Sequence, residues 1–151
     1  SMVLCYRDEY EKVLGKARGE FKVHLVHEWL LQLELPKVAQ NKTQNYALFG
    51  HCSEKTALPV SEKQWQQIFQ KSGLKLSAVS VGCCGMAGTF GPEASHIEES
   101  TGIYQLSWQQ AVSRYQPEQI VATGYSCRSQ VARFENFKPK HPLQILAMSI
   151  E

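Results

Sequence analysis

The 151-residue chain has no C-x-x-C pair, no cluster of basic residues and no apolar run long enough to cross a bilayer. Each gap excludes something. Without C-x-x-C, both the usual structural zinc knuckle and the usual dithiol redox motif are missing. The formal net charge is only +2 and the lysines and arginines are scattered, so neither nucleic acid nor an anionic membrane is expected as a partner. The first residues, Ser1 to Asp8, lack the charged and apolar regions of a signal peptide, which reads as cytoplasmic. Repeats and low-complexity tracts are absent, while 43% hydrophobic and 20% charged residues are ordinary for a globular chain. One domain over 1–151 is expected, since this length supports a single sizeable core.

What the chain does have is five cysteines, Cys5, Cys52, Cys83, Cys84 and Cys127. Two of them are adjacent, within the stretch GCCGMAGTFG at 82–91. Adjacent cysteines rarely bond to each other, because the small ring strains both the peptide and the disulfide. An odd number in a reducing compartment points to metal ligands or redox groups instead.

Their placement follows from the coarse pattern of elements. Two helical stretches open the chain over about 1–35, and the second, Glu20 to Leu33, carries Phe21, Leu25, Trp29 and Leu33 at four-residue steps, a face expected to pack on a sheet. Pro36 and the polar run QNKTQN mark a loop, and an α/β part is expected over 36–151. There Tyr46–Phe49, Leu76–Val81 and Gln119–Thr123 read as buried strands, with a last strand near Leu143–Ala147. Helices are expected at Pro59–Lys71, with Ser61 as N-cap and Gly73 as its end, at about Glu93–Tyr115 with a break near Thr101–Gly102, and at about Ser126–Phe134. The alternation argues for an α/β fold, a parallel sheet flanked by helices. Cys52, the Cys83–Cys84 doublet and Cys127 each follow the end of a different strand, which puts four cysteine-bearing positions at the carboxyl edge, where ligand crevices form.

Four thiols meeting there suit an iron–sulfur cluster, and they also suit tetrahedral zinc in an interaction domain. Thiol–disulfide chemistry at the doublet is a third use. Gly82, Gly85, Gly88 and Gly91 would let backbone N–H groups approach sulfur closely, some at positive φ. His51, directly before Cys52, and His141, in the loop KPKHP, are candidates to hydrogen-bond a cluster sulfur.

GHCSEKTALP at 50–59, VGCCGMAGTFG at 81–91 and TGYSCRSQ at 123–130 together resemble the cysteine-rich CCG domain. That domain occurs in heterodisulfide reductase and in iron–sulfur subunits of glycolate oxidase and anaerobic glycerol-3-phosphate dehydrogenase. The chain also resembles the C-terminal part of large bacterial FAD-linked oxidases of the D-lactate and D-2-hydroxyglutarate dehydrogenase kind. The resemblance implies Cys52, Cys83, Cys84 and Cys127 as ligands of an iron–sulfur cluster, of the 4Fe-4S type, and the residue reading above adds Gly82, Gly85 and His51 around it. The closing element here is Cys127-Arg128-Ser129-Gln130, so the fifth thiol of the family's C-x-x-C is missing. It further implies a fragment of a longer flavoprotein, with SMVLCYRDEY as the tail of a first motif copy. FAD would be held by another domain of the same parent chain, an electron acceptor would be the further partner, and the parent would be cytoplasmic or peripheral at the inner membrane.

Overall fold

The computed structural model describes residues 2–38 and 44–150. The chain opens with a helical segment over 2–18, α-helical at Met2–Leu4 and Tyr10–Leu14, widened at Cys5–Glu9 and tightened to 3-10 at Gly15–Arg18. Helix α1 (Val26–Leu30) follows. It is far shorter than the Glu20–Leu33 helix that the apolar spacing predicts, and it buries a different face. His27 and Leu30 are inside, whereas Phe21 and Trp29 are 52% and 51% exposed. The cause is local. Gly19 breaks the chain at positive φ, Leu25 is extended, and the Glu28 carboxylate accepts the Leu25 N–H at 2.9 Å, which starts the helix there. Most of the QNKTQN loop, 40–43, lies outside the described residues.

Strand β1 (Asn45–Phe49) leads into helices α2 (Cys52–Ala57) and α3 (Ser61–Lys71), then strand β2 (Lys75–Ala78). Trp65, Ile68 and Phe69 form the buried stripe of α3. Ser61 is its first helical residue and is buried, with no side-chain cap. Gly73 ends the helix at φ +80, and the Leu74 N–H closes back on the Phe69 carbonyl. Next come α4 (Ile97–Val112), β3 (Ile120–Ala122), α5 (Tyr125–Glu135) and α6 (Pro142–Ile150).

The three strands are parallel, in the order β2-β1-β3. Tyr46 pairs with Leu76, and Phe49 pairs with Ala122. Alternation along β1 sends Tyr46 and Leu48 to a core with Trp65, Ile68 and Phe69, and Ala47 and Phe49 to one with Tyr104, Trp108 and Val131. A sheet covered on both faces explains why β1 reads as a continuous apolar run.

Two other expectations are corrected. Helix α4 runs unbroken through Thr101 and Gly102. Nothing lies within 4 Å of where a Cβ of Gly102 would stand, and the roughly 1 kcal/mol that a mid-helix glycine costs is small beside burying Tyr104, Trp108 and Val112 on one face. The run Leu143–Ala147 is helix, not strand. The chain touches β3 through one bridge, Val121 to Lys140, and then Pro142, lacking an N–H and fixed in φ, opens α6. His141 caps that helix: its Nδ1 accepts the Leu143 N–H at 3.1 Å, while the Gln144 side chain returns to the His141 N–H at 2.8 Å. Among the described residues, no helix is long and apolar enough to cross a membrane.

This cap carries a pH dependence. Burial lowers the His141 pKa to about 4, helped by the positive charge of Arg128 and by His27, while the Trp65 ring packs edge-on at 5.5 Å. The unfolded chain therefore binds a proton at pH 5 that the fold rejects. Stability should be flat above about pH 6.5 and fall by about 3 kcal/mol as pH drops to about 4. Burial also lowers the His27 pKa, against the opposing pull of Glu54 and Glu28, so His27 adds to the same slope. His141→Asn keeps a capping acceptor without the titration. Urea melts between pH 7 and 4 should show a shallower loss in the variant, and identical slopes would refute this account.

Candidate cysteine site

In the order β2-β1-β3, the connections from the central strand's two neighbours diverge at β1, so a crevice opens at its carboxyl end. The backbone there is cross-linked. The His51 N–H donates to Thr123 Oγ1 at 2.9 Å, tying the segment after β1 to the segment after β3. Cys52 is the first residue of α2 and Cys127 the third of α5, so these two thiols stand in helical first turns beyond the strand ends. Cys83 and Cys84 lie in the irregular segment after β2.

That segment is clamped before it reaches the doublet. Lys55 Nζ donates to the Val81 carbonyl at 2.6 Å, Trp108 Nε1 to the Gly82 carbonyl at 3.0 Å, and the Gly82 N–H to Ser107 Oγ at 3.1 Å. Cys52, Cys83 and Cys84 then line one cavity of about 850 Å³ with His51, Gly124 and Ser126. Cys127 Sγ stands against Gly124 at the wall of that cavity, and the four thiols are near enough to shift one another's acidity. The four thiols singled out from the sequence are thus in one place.

Their acidities differ for physical reasons. The Cys84 pKa is lowered, chiefly because Cys127 donates to its sulfur, with backbone N–H groups assisting against burial. The pKa of Cys127 is raised as the donor of that bond and by burial. Burial raises that of Cys83, partly offset by the Gly85 N–H, which points at Cys83 Sγ from 3.3 Å.

The glycines divide into two kinds. Gly85 and Gly88 have positive φ, whereas Gly82 and Gly91 do not. Gly85 also has no room: a Cβ there would stand 2.3 Å from the Ser100 carbonyl oxygen. Gly82 would meet only Ser107 Oγ at 3.6 Å, ordinary contact, so its place in the site comes from its backbone bonds.

His51 stands beside the thiols. Its ring Nε2 and Ser126 Oγ are 3.3 Å apart, and burial lowers its pKa. His141 lies elsewhere, lining a separate cavity with His27 and Trp65 and serving as the α6 cap. Cys5 is apart too. Its thiol donates to Glu9 at 3.2 Å and it lines a different hollow, with Ser53 and Ala57 of α2.

Gly124, Ser100 and Gln130 were not singled out from the sequence. A Cβ on Gly124 would stand 2.3 Å from the His51 ring and 2.8 Å from Cys127 Sγ, so this glycine lets both reach the crevice. The glycine closing the third apolar run was its one visible signal. Among the described residues, no three His, Cys, Asp or Glu side chains stand as they would around a single metal ion. What fits a cofactor here is the donor set, four neighbouring thiols with a backbone N–H aimed at sulfur and a cradle that a Cβ would fill.

No family model matches the chain, and neither does any solved structure. Curated relatives do. The chain is 54% identical to the D-2-hydroxyglutarate dehydrogenase of Escherichia coli (strain K12) over 147 residues, 97% of its length. It is 44% identical over 146 residues to the protein of that name from Pseudomonas putida, and 45% over 155 to that from Haemophilus influenzae. The chain is a homologue of one segment of these dehydrogenases. It spans 14 to 15% of their length. The likeness to D-2-hydroxyglutarate dehydrogenase-type oxidases read from the three cysteine motifs is therefore borne out.

Proposed function

We propose that this chain is a CCG-type electron-transfer segment of a flavin-linked dehydrogenase acting on a D-2-hydroxy acid. Cys52, Cys83, Cys84 and Cys127 are the ligands of a 4Fe-4S cluster. The observation that carries the reading is the meeting of four thiols from three strand ends, because core packing alone gives no reason for them to share one edge. When bound, the cluster supplies one-electron transfer between a flavin and an acceptor.

The chain's own residues do the rest. Gly85 presents its N–H to Cys83, Gly124 leaves space for the Cys127 sulfur, and the neutral His51 ring is held by Ser126 at the cavity wall. FAD and the hydroxy-acid pocket belong to other parts of the parent chain, whose flavin domain is the first partner and an electron acceptor the second. The name the relatives share makes D-2-hydroxyglutarate the first substrate to try with that parent. A cytoplasmic location agrees with the thiol chemistry.

Anaerobic reconstitution with iron and sulfide tests the reading. About four irons and four sulfides per chain, with a broad visible absorption, are expected. Colourless stoichiometric zinc would replace this proposal with a structural zinc site, and a metal-free fold with one reactive thiol would replace it with thiol–disulfide chemistry.

A further inference from the structure

Behind the doublet lies a buried chain of polar groups that the cysteine motif does not contain. Ser100 on α4 and Gln130 on α5 are both fully buried. Gln130 Nε2 donates to Ser100 Oγ at 2.8 Å, and Ser100 Oγ donates to the Gly85 carbonyl at 2.8 Å. The direction is fixed, because the single hydroxyl proton of Ser100 is used on Gly85, so its oxygen must accept from the amide nitrogen. Gly85 is also the residue whose N–H points at Cys83 Sγ from 3.3 Å.

We infer that Ser100 and Gln130 are positioning residues: they pin Gly85 by its carbonyl and so hold its N–H on the Cys83 sulfur. For its functional meaning the inference rests on the cluster proposed above. Three observations support it. Gly85 has φ +86 and no space for a Cβ between Ser100 and Gln130, so the loop is built around this contact. Gln130 Oε1 is buried with no hydrogen-bond partner among the described residues. An apolar side chain would avoid that desolvation cost, so the donor end of the amide is what the fold retains. Arg133, one turn further along α5, donates to the Gly91 carbonyl at 2.9 Å, and the Gly91 N–H closes on the Met86 carbonyl at 2.8 Å, fixing the other side of the same loop. Hydrogen bonds to cluster sulfurs raise a cluster's potential, so a loosened Gly85 N–H should lower it.

Ser100→Ala and Gln130→Leu cut the relay at its two joints, and Ser100→Thr keeps the hydroxyl. In the metal-free chain, amide hydrogen exchange followed by NMR should be about tenfold faster at Gly85 in the first two variants and restored in the third. Leu48, at the centre of the sheet, should keep its rate in all of them. After reconstitution, Ser100→Ala should carry the parent's iron content at a lower midpoint potential. An unchanged Gly85 rate, equal acceleration at Leu48, or an unshifted potential overturns the assignment. Should the parent itself take up no iron, the cluster reading fails while the exchange result still decides whether the relay exists.

Discussion

Replacing Cys84 by serine should remove most of the iron from the reconstituted chain and leave the fold standing. Losing an outer hydrogen-bond partner of a metal site costs roughly 10–100-fold in affinity, and losing a thiolate donor should cost at least that. Cys84 is the natural choice among the four. It is buried, and it neighbours both Cys83 and Cys127. Serine is close to it in shape, so the structural cost should stay near 1 kcal/mol. Cys5→Ser is the matched control. Its thiol points to Glu9 on the N-terminal helical segment and lines a different hollow, so iron content should not change. Iron and acid-labile sulfide, measured on both variants beside the parent, decide the matter. Equal loss in both, or full retention in Cys84→Ser, would show that these four cysteines are not the ligand set.

The control also marks what the sequence made legible. Cys52, Cys83, Cys84 and Cys127 could be placed together because each follows an apolar run, and a run buried on both faces survives as a local signal in β1 and β3. The amphipathic stripe of α3 was legible for the same reason: Trp65, Ile68 and Phe69 sit at helical spacing and all point inward. The elements that misled are those in which tertiary contacts chose the outcome. Phe21 and Trp29 have ideal spacing yet remain half exposed, since the Glu28 contact to the Leu25 N–H starts α1 too late to include Phe21. A short apolar run such as Leu143–Ala147 has no period of its own to separate strand from helix, and Pro142 with the His141 cap tipped it to helix. Ser100 and Gln130 were invisible because a polar residue on a helix reads as solvated unless its partner is known. Here the partner is Gly85, brought in by the fold.

The glycine series supplies the sharpest contrast, since four glycines at equal spacing look equivalent in sequence and are not so in space. Gly85→Ala should be the most destabilising single-methyl change in the loop. The alanine would have to hold φ +86, which disfavours an L side chain by roughly 1–2 kcal/mol, and its Cβ would stand 2.3 Å from the Ser100 carbonyl oxygen. That oxygen is backbone on α4, and forcing packed elements apart costs about 1–3 kcal/mol more. A loss of about 2–5 kcal/mol follows. Iron uptake should fall with it, because the loop that carries Cys83 and Cys84 must move away from Ser100. Gly82→Ala, three residues earlier in the same series, meets only Ser107 Oγ at 3.6 Å and has no positive φ, so its stability should stay within about 0.5 kcal/mol of the parent. Denaturant melts of the two variants test this directly. If they lose equal stability, the loop's glycines serve a common flexibility; if only Gly85→Ala falls, the doublet is held by the fit between one glycine and the helix behind it.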